Sequence, residues 1–106
     1  MKITKIFKWH CAHRLMGHKG LCKNLHGHTY KMEVKIEGDL IKYGSSNGMV
    51  IDFGDLKEIL MQEIDEVYDH SFTIWKEDYF IDMFKSWKDF EGQKINVVDF
   101  VPTAEN

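Results

Sequence analysis

From His26 to Glu37 every second residue changes character, without a break over twelve positions. His26, His28, Tyr30, Met32, Val34 and Ile36 share one parity; Gly27, Thr29, Lys31, Glu33, Lys35 and Glu37 share the other. Successive side chains of a strand point to opposite faces, so the pattern predicts a long strand with one covered and one solvated face. A strand of this kind needs a partner and a cover, which confines the chain to folds built around a sheet. The partner comes just before it. Ile3, Phe7, Trp9, Cys11 and His13 alternate in the same way, with Lys5 as the exception, and the stretch from Gly17 to Gly20 separates the two runs.

The rest of the chain changes period. Gly38 to Gly48 reads as a loop, and Asp52 then has the character of a helix N-cap, with Asp55 in the first turn. Phe53, Leu56, Ile59, Leu60, Ile64 and Val67 fall on one helical stripe, which predicts a helix ending near Tyr68. A shorter helix is predicted over Asp78–Trp87, a turn at Glu91-Gly92-Gln93, and a strand from Ile95 to Val101. A chain of 106 residues has room for one domain. The expected fold class is α+β: one domain over residues 1–106, an antiparallel β-hairpin or sheet with helices packed on one face. Pro102-Thr103-Ala104-Glu105 has the composition that opens a helix, and its position at the end of the sequence predicts a truncated chain.

Charge is divided unevenly. Residues 1–35 carry eight basic side chains against Glu33 alone, whereas the rest carry six basic and sixteen acidic ones. The basic third, which also holds five of the six histidines, suits an anionic small molecule. Its lysines are spaced out and the whole chain is acidic, which argues against nucleic acid as a partner. Met1 to Lys5 lead into no apolar signal segment and no window is suited to crossing a bilayer, so a cytoplasmic location without a membrane partner is expected. The two cysteines are then expected as free thiols.

The chemistry concentrates at His26-Gly27-His28. Two histidines at i and i+2 on a strand project from the same face and can reach one ion. Gly27 between them leaves room for a ligand or a second backbone. His13 ends the first strand on its apolar parity, so pairing of the two strands completes a three-histidine site. Three imidazoles with an open fourth position describe a catalytic zinc centre. An isolated H-x-H is more often two ordinary histidines, but two unpartnered imidazoles on an apolar face are costly to bury. His10 has the wrong parity and His18 lies in the loop. Cys11 and Cys22 form no C-x-x-C pair, which removes a zinc-finger reading. Cys22, four residues before His26, is a candidate thiolate, and Asp69-His70 a candidate acid–base pair.

Several of these segments together resemble the 6-pyruvoyl-tetrahydropterin synthase and 6-carboxy-tetrahydropterin synthase family. They are Phe7-Lys8-Trp9-His10-Cys11-Ala12-His13-Arg14-Leu15, Cys22-Lys23-Asn24-Leu25-His26-Gly27-His28-Thr29-Tyr30, Met49-Val50-Ile51-Asp52-Phe53, Asp69-His70 and Pro102-Thr103-Ala104-Glu105-Asn106. The resemblance implies a tunnelling fold (T-fold), with Zn2+ held by His13, His26 and His28. It places Cys22, Asp69 and His70 in catalysis, and Thr103 and Glu105 at substrate-binding positions. The spacing Cys22-x-x-x-His26 is similar to the bacterial 6-carboxy type, whose place is in 7-deazaguanine and queuosine synthesis. The implied substrate is 7,8-dihydroneopterin triphosphate and the implied products are 6-carboxy-tetrahydropterin, acetaldehyde and triphosphate; the alternatives are 6-pyruvoyl chemistry or a non-catalytic zinc- or pterin-binding paralogue. Family members continue past the last motif with a helix and two strands, which supply a glutamate that anchors the pterin ring, and assemble as homo-oligomers (trimers or hexamers) with sites between subunits. By resemblance, this chain lacks that last helix and both strands.

Overall fold

The alternating runs pair as predicted in the computed structural model, which describes residues 1–106. β1 (Lys2–His13) and β2 (His26–Glu37) form an antiparallel hairpin in register from Lys2↔Glu37 to His13↔His26. Residues opposite one another in register point to the same face, so the two apolar parities merge into one surface. On it Trp9 lies across from Tyr30, their rings stacked at 5.3 Å.

Two further strands join β1, and they correct the expected antiparallel arrangement. β3 (Ser71–Trp75) pairs parallel with β1, β4 (Ile95–Val98) pairs parallel with β3, and the sheet order is β2-β1-β3-β4. The sheet is therefore mixed. Sequence analysis placed no strand at 71–75 because Ser71, Thr73 and Ile74 are all buried there, so no alternation marks it. β4 also stops short of Val101; residues 99–101 leave the sheet and carry Pro102 beneath His13.

The long helix contains three segments: α1 (Phe53–Leu60), a π-helical turn (Met61–Asp65) and α2 (Glu66–Tyr68). Asp52 caps it as predicted, its carboxylate accepting from the Gly54 amide at 2.7 Å. The wider π turn shifts the stripe, so that Ile64 and Tyr68 line the cavity against the sheet while Val67 is exposed. The second predicted helix is shorter than expected, α3 (Phe80–Lys85), with Asp78 accepting from the Phe80 amide at its start.

Helices cover both faces of the sheet, not one. His13 pairs with Thr73 and shares its face, and the cavity there is lined on one side by Ile64 and Tyr68 of the long helix. Phe72 and Ile74 point the other way, into the cluster with Ile81 and Phe84 of α3. Arg14, on that second side, forms a buried ion pair with Asp78, and its guanidinium lies 3.5 Å from the Phe80 ring centre. Only 11 of 106 residues are buried, because the far half of the hairpin extends beyond either cover. The radius of gyration, 18.1 Å, accordingly exceeds the ~13 Å of a compact chain this long.

Candidate metal centre

The hairpin register puts His13 directly opposite His26, and His28 two residues further along the same face. The three rings meet edge to face, with centroids 4.6 to 5.0 Å apart. One ring nitrogen from each lies within 4.8 Å of the others. Two of the rings are oriented from behind. His13 Nδ1 lies 2.6 Å from the carbonyl oxygen of Pro102, and His26 Nδ1 lies 2.7 Å from that of Asn24.

A carbonyl can only accept, so each Nδ1 carries a proton, and in the neutral ring each Nε2 then presents a lone pair. Those two Nε2 atoms face each other at 3.1 Å. Two lone pairs at that separation repel unless a proton or a metal ion lies between them. The donor set thus fits a metal ion, and backbone carbonyls behind ligand imidazoles are a usual way of aiming them. Burial lowers the pKa of His13; the Pro102 bond opposes this, and the neighbouring His26 and His28 lower it further. The result favours the neutral imidazole that metal binding requires. A metal held by these three nitrogens, with the His28 ring open to solvent, would keep a coordination position for water or another ligand.

Beside His13 lies an open cavity of about 560 Å³, bordered by Trp9, Tyr30, Met32, Tyr68, Phe100 and Thr103 among others. Thr103 lines it and Glu105 does not. The Thr103 hydroxyl accepts from the Asn106 amide at 3.2 Å, the bond an N-cap residue makes.

Asp69 and His70 form the expected pair, on the opposite face of the hairpin. His70 Nδ1 donates to Asp69 Oδ2 at 2.7 Å, while Asp69 Oδ1 accepts from the His10 amide at 2.9 Å. The His10 amide lowers the pKa of Asp69 most, and the His70 ring adds to it, so the carboxylate stays ionised. His70 borders a cleft with His10, Gly27, Thr29 and also His28, where His10 Nδ1 is hydrogen-bonded to Thr29 at 2.9 Å; His13 and His26 do not border it. A Cβ built on Gly27 would make only ordinary contact, with the Cys11 carbonyl at 3.5 Å, so no close backbone approach within the chain demands the glycine. Cys22 sits on the 3-10 turn Leu21–Lys23, half-buried, and borders neither cavity. One chain therefore assembles the three histidines and the Asp69–His70 pair but does not bring them and Cys22 to one point.

Sequence reasoning missed the groups that aim these side chains. Pro102, Asn24 and His10 act through backbone atoms, which leave no signature in residue type.

Three histidines that could hold a metal ion, set on a sheet face beside a cavity, mark the candidate site of this α+β chain. The family described as 6-pyruvoyl tetrahydropterin synthase matches residues 2–106, and the chain belongs to it. It is 55% identical over 71 residues to a 6-carboxy-5,6,7,8-tetrahydropterin synthase of Haemophilus influenzae, a match covering 67% of this chain and 50% of that protein. It is 37% identical over all 106 residues to the protein of that name from Rickettsia felis, covering 73% of the relative. The chain thus matches half to three quarters of the length of these relatives. A crystal structure of an uncharacterized protein from Wolinella succinogenes superimposes over 99% of this chain and 77% of its own, with a TM-score of 0.73 at 30% identity. No helix is long and apolar enough to cross a membrane.

Proposed function

We propose that this chain serves a zinc-dependent lyase activity that converts 7,8-dihydroneopterin triphosphate to 6-carboxy-5,6,7,8-tetrahydropterin, acetaldehyde and triphosphate, a cytoplasmic step toward 7-deazaguanines such as queuosine. The observation that carries this reading is the convergence of His13, His26 and His28, whose ring nitrogens lie within 4.8 Å of one another and could hold a metal ion, in a chain of this family. The names of the relatives and the Cys22-x-x-x-His26 spacing favour the carboxy product over the pyruvoyl one.

In this reading, His13, His26 and His28 hold Zn2+, which as a Lewis acid would acidify the hydroxyls of the substrate side chain. Cys22 takes or returns a proton at the side-chain carbons. Asp69 keeps its hydrogen bond to His70 Nδ1, so His70 works through Nε2 on the other side of the substrate. Thr103 contacts the pterin beside His13, whereas Glu105, which does not line that cavity, would need a different approach to reach it. Because the three histidines and His70 lie on opposite faces of one hairpin, the complete site forms between subunits of a homo-oligomer. The sparsely covered hairpin supports that assembly.

The test combines metal analysis and product analysis. Wild-type protein should hold about one zinc per chain. His26→Ala and His28→Ala should lose most of it, and His10→Ala should keep it. Full zinc in the first two variants would refute the centre. Acetaldehyde release identifies the carboxy reaction and its absence during turnover the pyruvoyl one; zinc and pterin binding without turnover identifies a non-catalytic binder.

A further inference from the structure

The peptide unit joining Asp69 to His70 is held at both of its polar ends. Its N–H, on His70, donates to the His10 carbonyl at 2.6 Å as the first rung between β1 and β3. Its carbonyl, on Asp69, accepts from the ammonium of Lys94. The orientation of a peptide plane sets ψ of the residue before it and φ of the residue after it. These two contacts therefore fix the directions in which the Asp69 and His70 side chains leave the backbone.

The conformation they hold is one the chain would otherwise avoid. His70 has φ +58°, the only non-glycine residue here in the left-handed region. Residues kept there persist where the surroundings over-determine them. Lys94 stands immediately before β4 and reaches across β3 to the end of the long helix, where it also donates to the Asp65 carbonyl at 2.9 Å. The Asp65 carbonyl also accepts from the Asp69 amide at 3.2 Å, so Lys94 adds a second donor there, where the helix dipole favours a cation. Asn96, two residues on, does a similar task one step away, donating to the Val67 carbonyl at 2.8 Å. Of these two side chains, only Lys94 touches the Asp69–His70 peptide.

We infer that Lys94 is a positioning residue for the Asp69–His70 pair: by holding the Asp69 carbonyl it keeps the peptide from turning over and His70 in its left-handed, Asp69-bonded geometry. This rests on the proposed role of that pair in proton transfer, but the geometric claim can be read without turnover.

The experiment measures hydrogen exchange of the His70 amide by NMR in the full chain, referenced to amides of the β1–β2 hairpin. Lys94→Met should speed His70 exchange at least tenfold relative to those references and move the Asp69 carboxyl titration upward toward the ordinary value. Lys94→Arg keeps a cationic donor and should retain the protection. Asn96→Ala weakens the same helix end without touching the peptide, and should leave His70 protected. Where Lys94→Met folds too poorly to read, Lys94→Gln serves with the same expectation. In an assembly that turns over, Lys94→Met should lower kcat with KM and zinc content little changed, and Lys94→Arg should restore most of it. Unchanged His70 exchange in Lys94→Met, or equal acceleration in Asn96→Ala or Lys94→Arg, overturns the inference. An inactive wild-type protein would count against the lyase reading alone, since the exchange comparison is decided independently.

Discussion

The imidazole of His13 and the carbonyl of Pro102, 89 residues apart in sequence, are joined by a hydrogen bond of 2.6 Å. That bond forces the His13 tautomer and turns its Nε2 toward His26. Pro102 is buried and its ring restricts the backbone that presents the carbonyl. Pro102→Gly should loosen this support and weaken zinc binding by ~10-fold or more, within the range known for partners behind metal ligands. Competition with a chromophoric chelator measures it; an unchanged affinity would show that the carbonyl only follows the ring.

Cys22 and His70 should matter for turnover and not for metal content. General acid–base groups contribute ~10²–10⁴-fold, so Cys22→Ala and His70→Ala should each lower kcat by such a factor with zinc unchanged. A loss below tenfold would remove the residue from the mechanism. Zinc loss in Cys22→Ala would make the thiol a ligand and the centre a closed one.

Acid stability should register Asp69. Its pKa is lowered in the folded chain by the His10 amide first and the His70 ring second. A depressed carboxyl contributes stability above its unfolded value, near 3.8, and that contribution is lost as pH falls through the lower folded value. The Tm of wild type should therefore exceed that of Asp69→Asn at neutral pH, and the difference should shrink as the pH drops below that value. A gap that stays constant down to the acid limit would separate Asp69 from acid unfolding.

The ion pair between Arg14 and Asp78 should be costly to break from one side. Both side chains are almost fully buried, and Asp78 also accepts from the Phe80 amide at the start of α3. Asp78→Ala would leave the guanidinium without its counter-charge, at a cost of about 3–5 kcal/mol. Arg14→Met combined with Asp78→Leu should recover much of that, because two apolar groups need no counter-charge. Urea unfolding of the single and double variants decides it, and equal losses in both would contradict the desolvation argument.

Local periodicity alone determined the hairpin. The parity of His13, His26 and His28 placed three imidazoles on one face before any coordinates, since side-chain direction along a strand follows from residue number. The Asp52 cap and the run of helix to Tyr68 were legible for the same reason, each resting on neighbours within a turn or two. Only the tertiary structure decided that β3 and β4 run parallel to β1, because Ser71–Trp75 is covered on both faces and carries no period. It also decided that α3 and the long helix take opposite faces, which follows from which residues of β3 meet which helix. The groups that aim the site were invisible for a different reason. The carbonyls of Pro102 and Asn24, the amide of His10 and the carbonyl held by Lys94 belong to backbone that every residue has, and only folding determines which of them meets a functional side chain.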